Sequence, residues 1–239
     1  MSRIVLVGQE VGGVGKSTLI RSLATMIPDA AVVELESVPR LIDLGDRVVH
    51  FPVRADRAEI EATGGEAAQA EFDAIADHLI GETRPTLVDI GANASKAIFG
   101  HLQPLAKSFA RAEREVALVT VVVNDAAAIA EAWQIRALTA DWVVRTFIVE
   151  NRLRGPVDPV DLEKLTEGTT VTSFRSHALA TEAKKLLQSL GLAAASRLDE
   201  EALEREYGPS SALRILRQIA SFRADAMDAV KHAAAWVIE

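Results

Sequence analysis

The chain has 239 residues, 49% of them hydrophobic and 25% charged, enough to bury one substantial core. A formal net charge of −8 argues against a uniformly basic, nucleic-acid-coating surface, although a local basic patch survives such a total. There is no cysteine, which excludes disulfides, thiolate metal sites and cysteine nucleophiles. The start Met1-Ser2-Arg3 leads straight into an apolar segment, without a signal-peptide pattern or a membrane-spanning run, so a cytoplasmic protein with no membrane partner is expected.

The first element is the run Ile4-Val5-Leu6-Val7, read as a strand. Directly after it stands Val11-Gly12-Gly13-Val14-Gly15-Lys16-Ser17-Thr18, with a helix predicted over 16–26. Small residues between a strand and a helix let backbone N–H groups crowd round an anion. A lysine and a hydroxyl at the helix mouth then suit the β/γ-phosphates and a magnesium ion. Gly12, Gly13, Val14, Gly15, Lys16, Ser17 and Thr18 are therefore the candidate phosphate cradle, with Ser17 a metal ligand. In the pattern G-x-x-x-x-G-K-[ST] the first glycine falls on Glu10, so the match is to the second half; the alternative is a glycine-rich turn with no ligand.

A second strand, 31–35, brings Glu34 and Glu36 to one face by alternation. Two acids at a strand's carboxyl end can polarise water or touch a metal's shell, or they form a solvated edge. Strand 48–53 and helix 66–80 follow, then strand 86–90, which ends in Asp89-Ile90-Gly91. Asp89 is the candidate second metal-side carboxylate, followed by a loop able to feel a terminal phosphate; the alternative is a cap for the next helix. Beyond it come helix 94–111, strand 116–123, helix 126–139, strands 143–149 and 169–174, and helix 178–190. This alternation predicts an α/β, doubly wound, mostly parallel sheet with flanking helices, its site beyond the carboxyl ends of the strands.

From about residue 198 the character changes, and helices are predicted over 199–207 and 211–237, separated by Gly208-Pro209-Ser210. The division expected is a main domain over 1–195 and a helical extension over 196–239, packed on it. Leu213, Leu216, Ile219, Ala220, Phe222 and Met227 read as the apolar stripe of the last helix. Arg214, Arg217 and Arg223 lie off it, as a solvated face or a DNA- or partner-binding one. The five histidines have no metal-ligand spacing.

These motifs together resemble the ParA/MinD-type ATPases, P-loop proteins that position plasmids, chromosomes and division sites. The likeness covers about the first 190 residues in order. Gly12 to Thr18 look like the deviant Walker A loop, usually KGGVGKT, and Glu34-Leu35-Glu36 stand where the family has an Asp-x-Asp switch. The resemblance implies that Lys16 and Asp89 act in catalysis and that Glu36 orients the hydrolytic water. Val121-Val122-Val123-Asn124-Asp125 is similar to the family's strand ending before a helix. Ile148-Val149-Glu150-Asn151-Arg152 resembles the strand whose terminal Asn-Arg pair reads adenine, making Asn151 a base contact, and Arg175 lies where relatives approach the base. ATP (or ADP) with Mg²⁺ as cofactors, a nucleotide-dependent homodimer, an adaptor protein and nonspecific DNA binding follow as implications, in plasmid partition or transfer.

The departures are specific. The family's signature lysine is replaced by Val11, and Glu34 and Glu36 are one methylene longer than the usual aspartates. Slow or partner-dependent hydrolysis is expected. A metabolic P-loop enzyme, such as a dethiobiotin-synthetase-like ligase or small-molecule kinase, is the alternative that also lacks the lysine; a nucleotide-binding scaffold without hydrolysis is a third.

Overall fold

Strand β1, Ser2–Gly8, sends alternate residues to opposite faces of a sheet covered on both sides. The computed structural model describes residues 2–53 and 66–239. Among them, seven strands form one sheet: β1, β2 (Ala31–Leu35), β3 (Val48–Phe51), β4 (Thr86–Ile90), β5 (Arg114–Val122), β6 (Arg145–Asn151) and β7 (Thr170–Phe174). The order is β3-β2-β4-β1-β5-β6-β7, and every neighbouring pair is parallel. The α/β, doubly wound architecture expected from the sequence is the one observed.

Val5, Val7, Val32, Leu87, Val119 and Val121 face one helical layer, which includes α1 (Lys16–Met26) and the last helix, α9 (Pro209–Ile238). Ile4, Leu6, Val33, Val88, Ile90 and Leu118 face the other. That second layer holds α2 (Glu66–Gly81), α3 (Ser95–Leu102), α4 (Ala106–Arg111) and part of α5 (Ala126–Thr139). Consecutive β-branched residues in the strands are thus buried on alternating sides. The chain leaves β1 towards β2, whereas the connection after β4 crosses β1 to reach β5. The strand order therefore reverses beside β1, where such sheets place their crevice.

The helix expected over 94–111 is broken: α3 and α4 are separated by a 3₁₀ turn at Gln103–Leu105. Pro104 has no N–H to give to a continuing α-helix and so tightens the chain there. A further helix, α6 (Pro159–Thr166), is an addition to the sequence reading. Asp158 caps it by accepting from the Val160 N–H, with proline in the first turn, so its start signal is present in the sequence.

After β7 come α7 (Thr181–Ala194), α8 (Glu200–Tyr207) and α9. The buried stripe of α9 runs through Ala212, Ile215, Ile219, Ala226, Val230, Ala233 and Val237, not through Leu213 and Ala220, which are exposed. Alanines carry this line because the helix approaches the sheet and α1 closely, and a small side chain is what such a gap admits. Ala226, Ala229, Val230, Ala233, Trp236 and Val237 share one core cluster with β1, β5 and α1. The Arg3 guanidinium lies over the Trp236 ring and donates to the Trp236 carbonyl, tying the end of α9 to β1. Among the described residues no helix is long and apolar enough to cross a membrane.

Candidate functional site

β1 ends at Gly8, and residues 9–15 turn into α1 at the carboxyl edge of the sheet. Gly15 takes the N-cap position with φ +101°, a left-handed conformation costly for any other residue, and supplies no side-chain cap. No acidic residue lies in the first turn of α1, so its leading N–H groups and positive dipole end remain available to an anion.

The loop is braced from beneath by two buried amides. Gln9, fully buried, donates through Nε2 to the carbonyls of Val121 and Ala128, both at 2.9 Å. Asn151, at the end of β6, donates through Nδ2 to the Val14 carbonyl at 2.8 Å and accepts at Oδ1 from the Leu153 N–H. A β-carbon on Gly15 would stand 2.7 Å from that same Nδ2, which fixes glycine there by space as well as by φ. Val11 packs against the apolar core on the α1 side of the sheet.

Lys16 is only 7% exposed, and its ammonium donates to the carbonyls of Gln9 at 2.8 Å and Val11 at 3.3 Å. Burial lowers its pKa from the ordinary lysine value, against the opposing pull of Asp89, Glu36 and Glu10. The cation thus lies folded onto the loop's own backbone, beneath the space it would serve.

Asp89 stands opposite Val7 on one side and Glu34 on the other, and is 1% exposed. Burial pushes its carboxyl up to about 6, in spite of a hydrogen bond with the Ser17 side chain and the nearby Lys16 charge, and Glu34 and Glu36 add to the rise. Its Oδ2 is buried with no hydrogen-bond partner among the described residues. An orphaned carboxylate oxygen beside a serine hydroxyl at a helix mouth fits a magnesium ion, which takes one or two protein oxygens and completes its shell with water and phosphate.

Glu34 departs from the expectation of a water-polarising or edge residue. It is fully buried, and Oε1 accepts from the N–H groups of Arg40 at 2.7 Å and Leu41 at 3.1 Å, so it anchors the segment that follows β2. Glu36, beyond the end of β2, is half-buried and lines the loop cavity. Gly91 comes against it: its N–H donates to the Leu35 carbonyl at 2.8 Å, and a β-carbon would meet the Glu36 carboxyl carbon at 3.0 Å. The end of β2 and the residue that follows β4 are therefore side by side, and Glu36 and Ala92 beyond them both line the cavity.

That cavity, about 270 Å³, is lined by residues 12–18, Glu36, Arg40 and Ala92. A second cavity of about 290 Å³ shares Thr18 with it and is mostly apolar, with Leu179, Leu187, Leu192 and Phe222 beside Arg21, Lys184 and Gln188. The sequence-predicted residues Gly12 to Thr18, Glu36 and Asp89 are brought together. Asn151 lies beneath the loop rather than in either cavity, and Arg175 is paired with Asp225 of α9. Gln9 and Arg40 are contributors the sequence reading lacked, and Glu34 has a different role from the one read there; a buried acceptor and its loop partners leave no periodic signal.

No family model matches the chain, and no curated protein matches it. Among solved structures it is similar to the MinD cell division protein of Aquifex aeolicus, at 13% identity and a TM-score of 0.45, covering 92% of this chain and 98% of that one. A chain of the MinC:MinD cell division protein complex from the same organism gives 14% identity and a TM-score of 0.46, over 92% of this chain and 96% of that one. Chloroplast FtsY from Physcomitrella patens gives 13% and 0.38, over 73% of this chain and 58% of that one. Likeness at this level says nothing of a ligand, and any functional reading rests on the residues of the site.

Proposed function

We propose that this chain is a P-loop nucleoside triphosphatase that works as an ATP-driven switch of the ParA/MinD type. The observation that carries the reading is one juxtaposition: an uncapped α1 mouth at Gly15, the buried Lys16 ammonium, and the unpartnered Asp89 Oδ2 beside Ser17.

In this reading the N–H groups of residues 12–18 and Lys16 grip the phosphates, Lys16 exchanging its backbone carbonyls for phosphate oxygens. Ser17 and Asp89 would hold magnesium, which supplies charge neutralisation at the phosphates when bound. Glu36, poised over Gly91, orients water towards the terminal phosphate. The purine is placed in the apolar cavity beyond Thr18, where Leu179, Leu187 and Phe222 offer faces and Lys184 and Gln188 offer edges. For Asn151 to read the base instead, it would have to give up the Val14 carbonyl. Because Glu36 and Ala92, on the loops after two paired strands, both line the cavity, a terminal phosphate bound there would act on both loops at once, which is the requirement of a switch.

A nucleotide-dependent homodimer, an adaptor protein and DNA as cargo belong to the same proposal, with plasmid partition or transfer as the setting. Calorimetry with Mg·ATP and Mg·ADP tests its foundation. Heat of association in the native chain and its loss in Lys16→Ala support it, and absence of heat with either ATP or GTP would overturn it. Light scattering with a slowly hydrolysed ATP analogue then reports the dimer, and substrate-dependent ADP release with a metabolite panel would instead point to a metabolic enzyme.

A further inference from the structure

The loop carries valine where its resemblance calls for a second lysine, and Glu10 before it adds an acid. The fold nevertheless brings another cation to the same cavity. Arg40 lines it opposite residues 12–18, although 24 positions separate Arg40 from Lys16 in the chain. Its backbone is held from both sides: the N–H donates to the buried Glu34 carboxylate at 2.7 Å, and the carbonyl accepts from the Arg21 guanidinium at 2.7 Å. Arg21 is itself fixed by three contacts of 2.8–3.0 Å to the Asp43 carboxylate. The head of Arg40, by contrast, is weakly engaged. Its side chain is 62% exposed, and among the described residues it forms one ion pair, with Glu36 at 3.8 Å, beyond hydrogen-bond length.

A rigidly anchored backbone carrying a guanidinium with a loose counterion is an arrangement suited to receiving an incoming anion. Its charge already reaches Lys16, whose ammonium it disfavours. We propose that Arg40 contacts the terminal phosphate in cis, supplying within one chain the second cation that Val11 cannot, and so makes the site prefer a nucleoside triphosphate to a diphosphate. This rests on the phosphate-loop reading above. Glu36, released from Arg40 by the same contact, becomes free to face water.

The test is the affinity of the full chain for Mg·ATPγS and for Mg·ADP, by calorimetry, in the native protein, Arg40→Ala and Arg40→Lys. A charge-assisted contact confined to the terminal phosphate should cost Arg40→Ala about 10- to 100-fold in ATPγS affinity and less than about threefold in ADP affinity. Arg40→Lys should recover part of the loss. The exposed side chain makes the substitution compatible with folding, and unchanged circular dichroism and melting confirm that each variant is native. An Arg40→Ala protein that keeps the native ATPγS-to-ADP ratio within about threefold overturns the assignment of Arg40 and leaves the loop reading standing. A native chain that binds neither nucleotide removes the loop reading itself, and Arg40's role with it.

Discussion

Glu10 reaches across the sheet edge to cap a helix 86 residues away: its Oε1 accepts from the backbone N–H of Lys96 in the first turn of α3. Ala94, at the N-cap position of that helix, has no side-chain acceptor, and the Glu10 carbonyl also takes the N–H of Asn93. The segment after β1 and the chain after Asp89 are thus one mechanical unit, and Glu10, where the general motif has glycine, has a physical reason to be there. Glu10→Ala should cost about 1 kcal/mol, typical of a lost cap. It should also speed amide exchange across 92–98, while Glu10→Gln, which keeps an acceptor, costs less. Equal exchange in Glu10→Ala and the native chain would mean that the cap contributes nothing.

Asp89 makes the ligand-free protein sensitive to pH. Its carboxyl holds a proton up to about pH 6 in the folded chain and releases it near 3.8 when unfolded, so between these values the native state binds the more protons. The free energy of unfolding should therefore fall as pH rises through this window and then level. The full penalty is on the order of 3 kcal/mol. Asp89→Asn should flatten that slope and raise the stability of the ligand-free protein at pH 7, while removing the magnesium dependence of nucleotide binding. Denaturant titrations at several pH values between 4 and 7 report the slope, and an Asp89→Asn protein less stable than the native at pH 7 would contradict the account.

Asp225 on α9 is held by both the Arg175 guanidinium, at 2.5 and 2.8 Å, and the His177 ring at 2.8 Å. The aromatic rings of Phe174 and Phe222 pack edge-on beside them, 5.4 Å between centroids. The hydrogen bond from Arg175, followed by that from His177, keeps the Asp225 carboxyl below its ordinary value. A depressed folded pKa contributes stability above the unfolded value, and this is lost as pH falls through the folded one. Asp225→Ala should melt about 2–4 °C below the native chain at pH 7, with the gap closing in strong acid. Identical melting temperatures at pH 7 would show that the clamp does not hold α9.

The strand–helix alternation and the loop at Gly12 to Ser17 were legible because they are written in local periodicity and local spacing. Asp158-Pro159 was equally local, and α6 could have been read from it. Pro104 was likewise visible as the break between α3 and α4. The rest was not local. Whether α9 buries Ile215 or Leu213 is a rotation of one helix, decided by how near the sheet lies, and the alanine-rich sequence leaves several stripes equally apolar. Glu34 alternates correctly with Glu36, yet alternation cannot distinguish a carboxylate bound for solvent from one swallowed by two backbone N–H groups six and seven residues on. Gln9, Glu10, Arg40 and Asn151 act through partners that only the folded topology supplies.

Glu34 offers the sharpest separation of charge from geometry. Its Oε1 pins Arg40 and Leu41, while Oε2 is buried without a partner among the described residues, and the residue stands in register with Asp89 on the neighbouring strand. Glu34→Gln keeps an oxygen for both N–H groups and removes a charge that raises the Asp89 pKa. It should therefore leave the 36–41 segment in place, keep triphosphate preference, and move the pH-sensitive window of stability downward from 6. Glu34→Ala orphans two backbone donors at once, a loss of about 2 kcal/mol or more, and frees Arg40 from its mooring. Its preference for ATPγS over ADP should fall as it does in Arg40→Ala, although the guanidinium is still present. Denaturation curves and nucleotide titrations on the two variants decide the matter: a Glu34→Ala protein with native preference would mean that the position of Arg40 does not depend on the carboxylate beneath it.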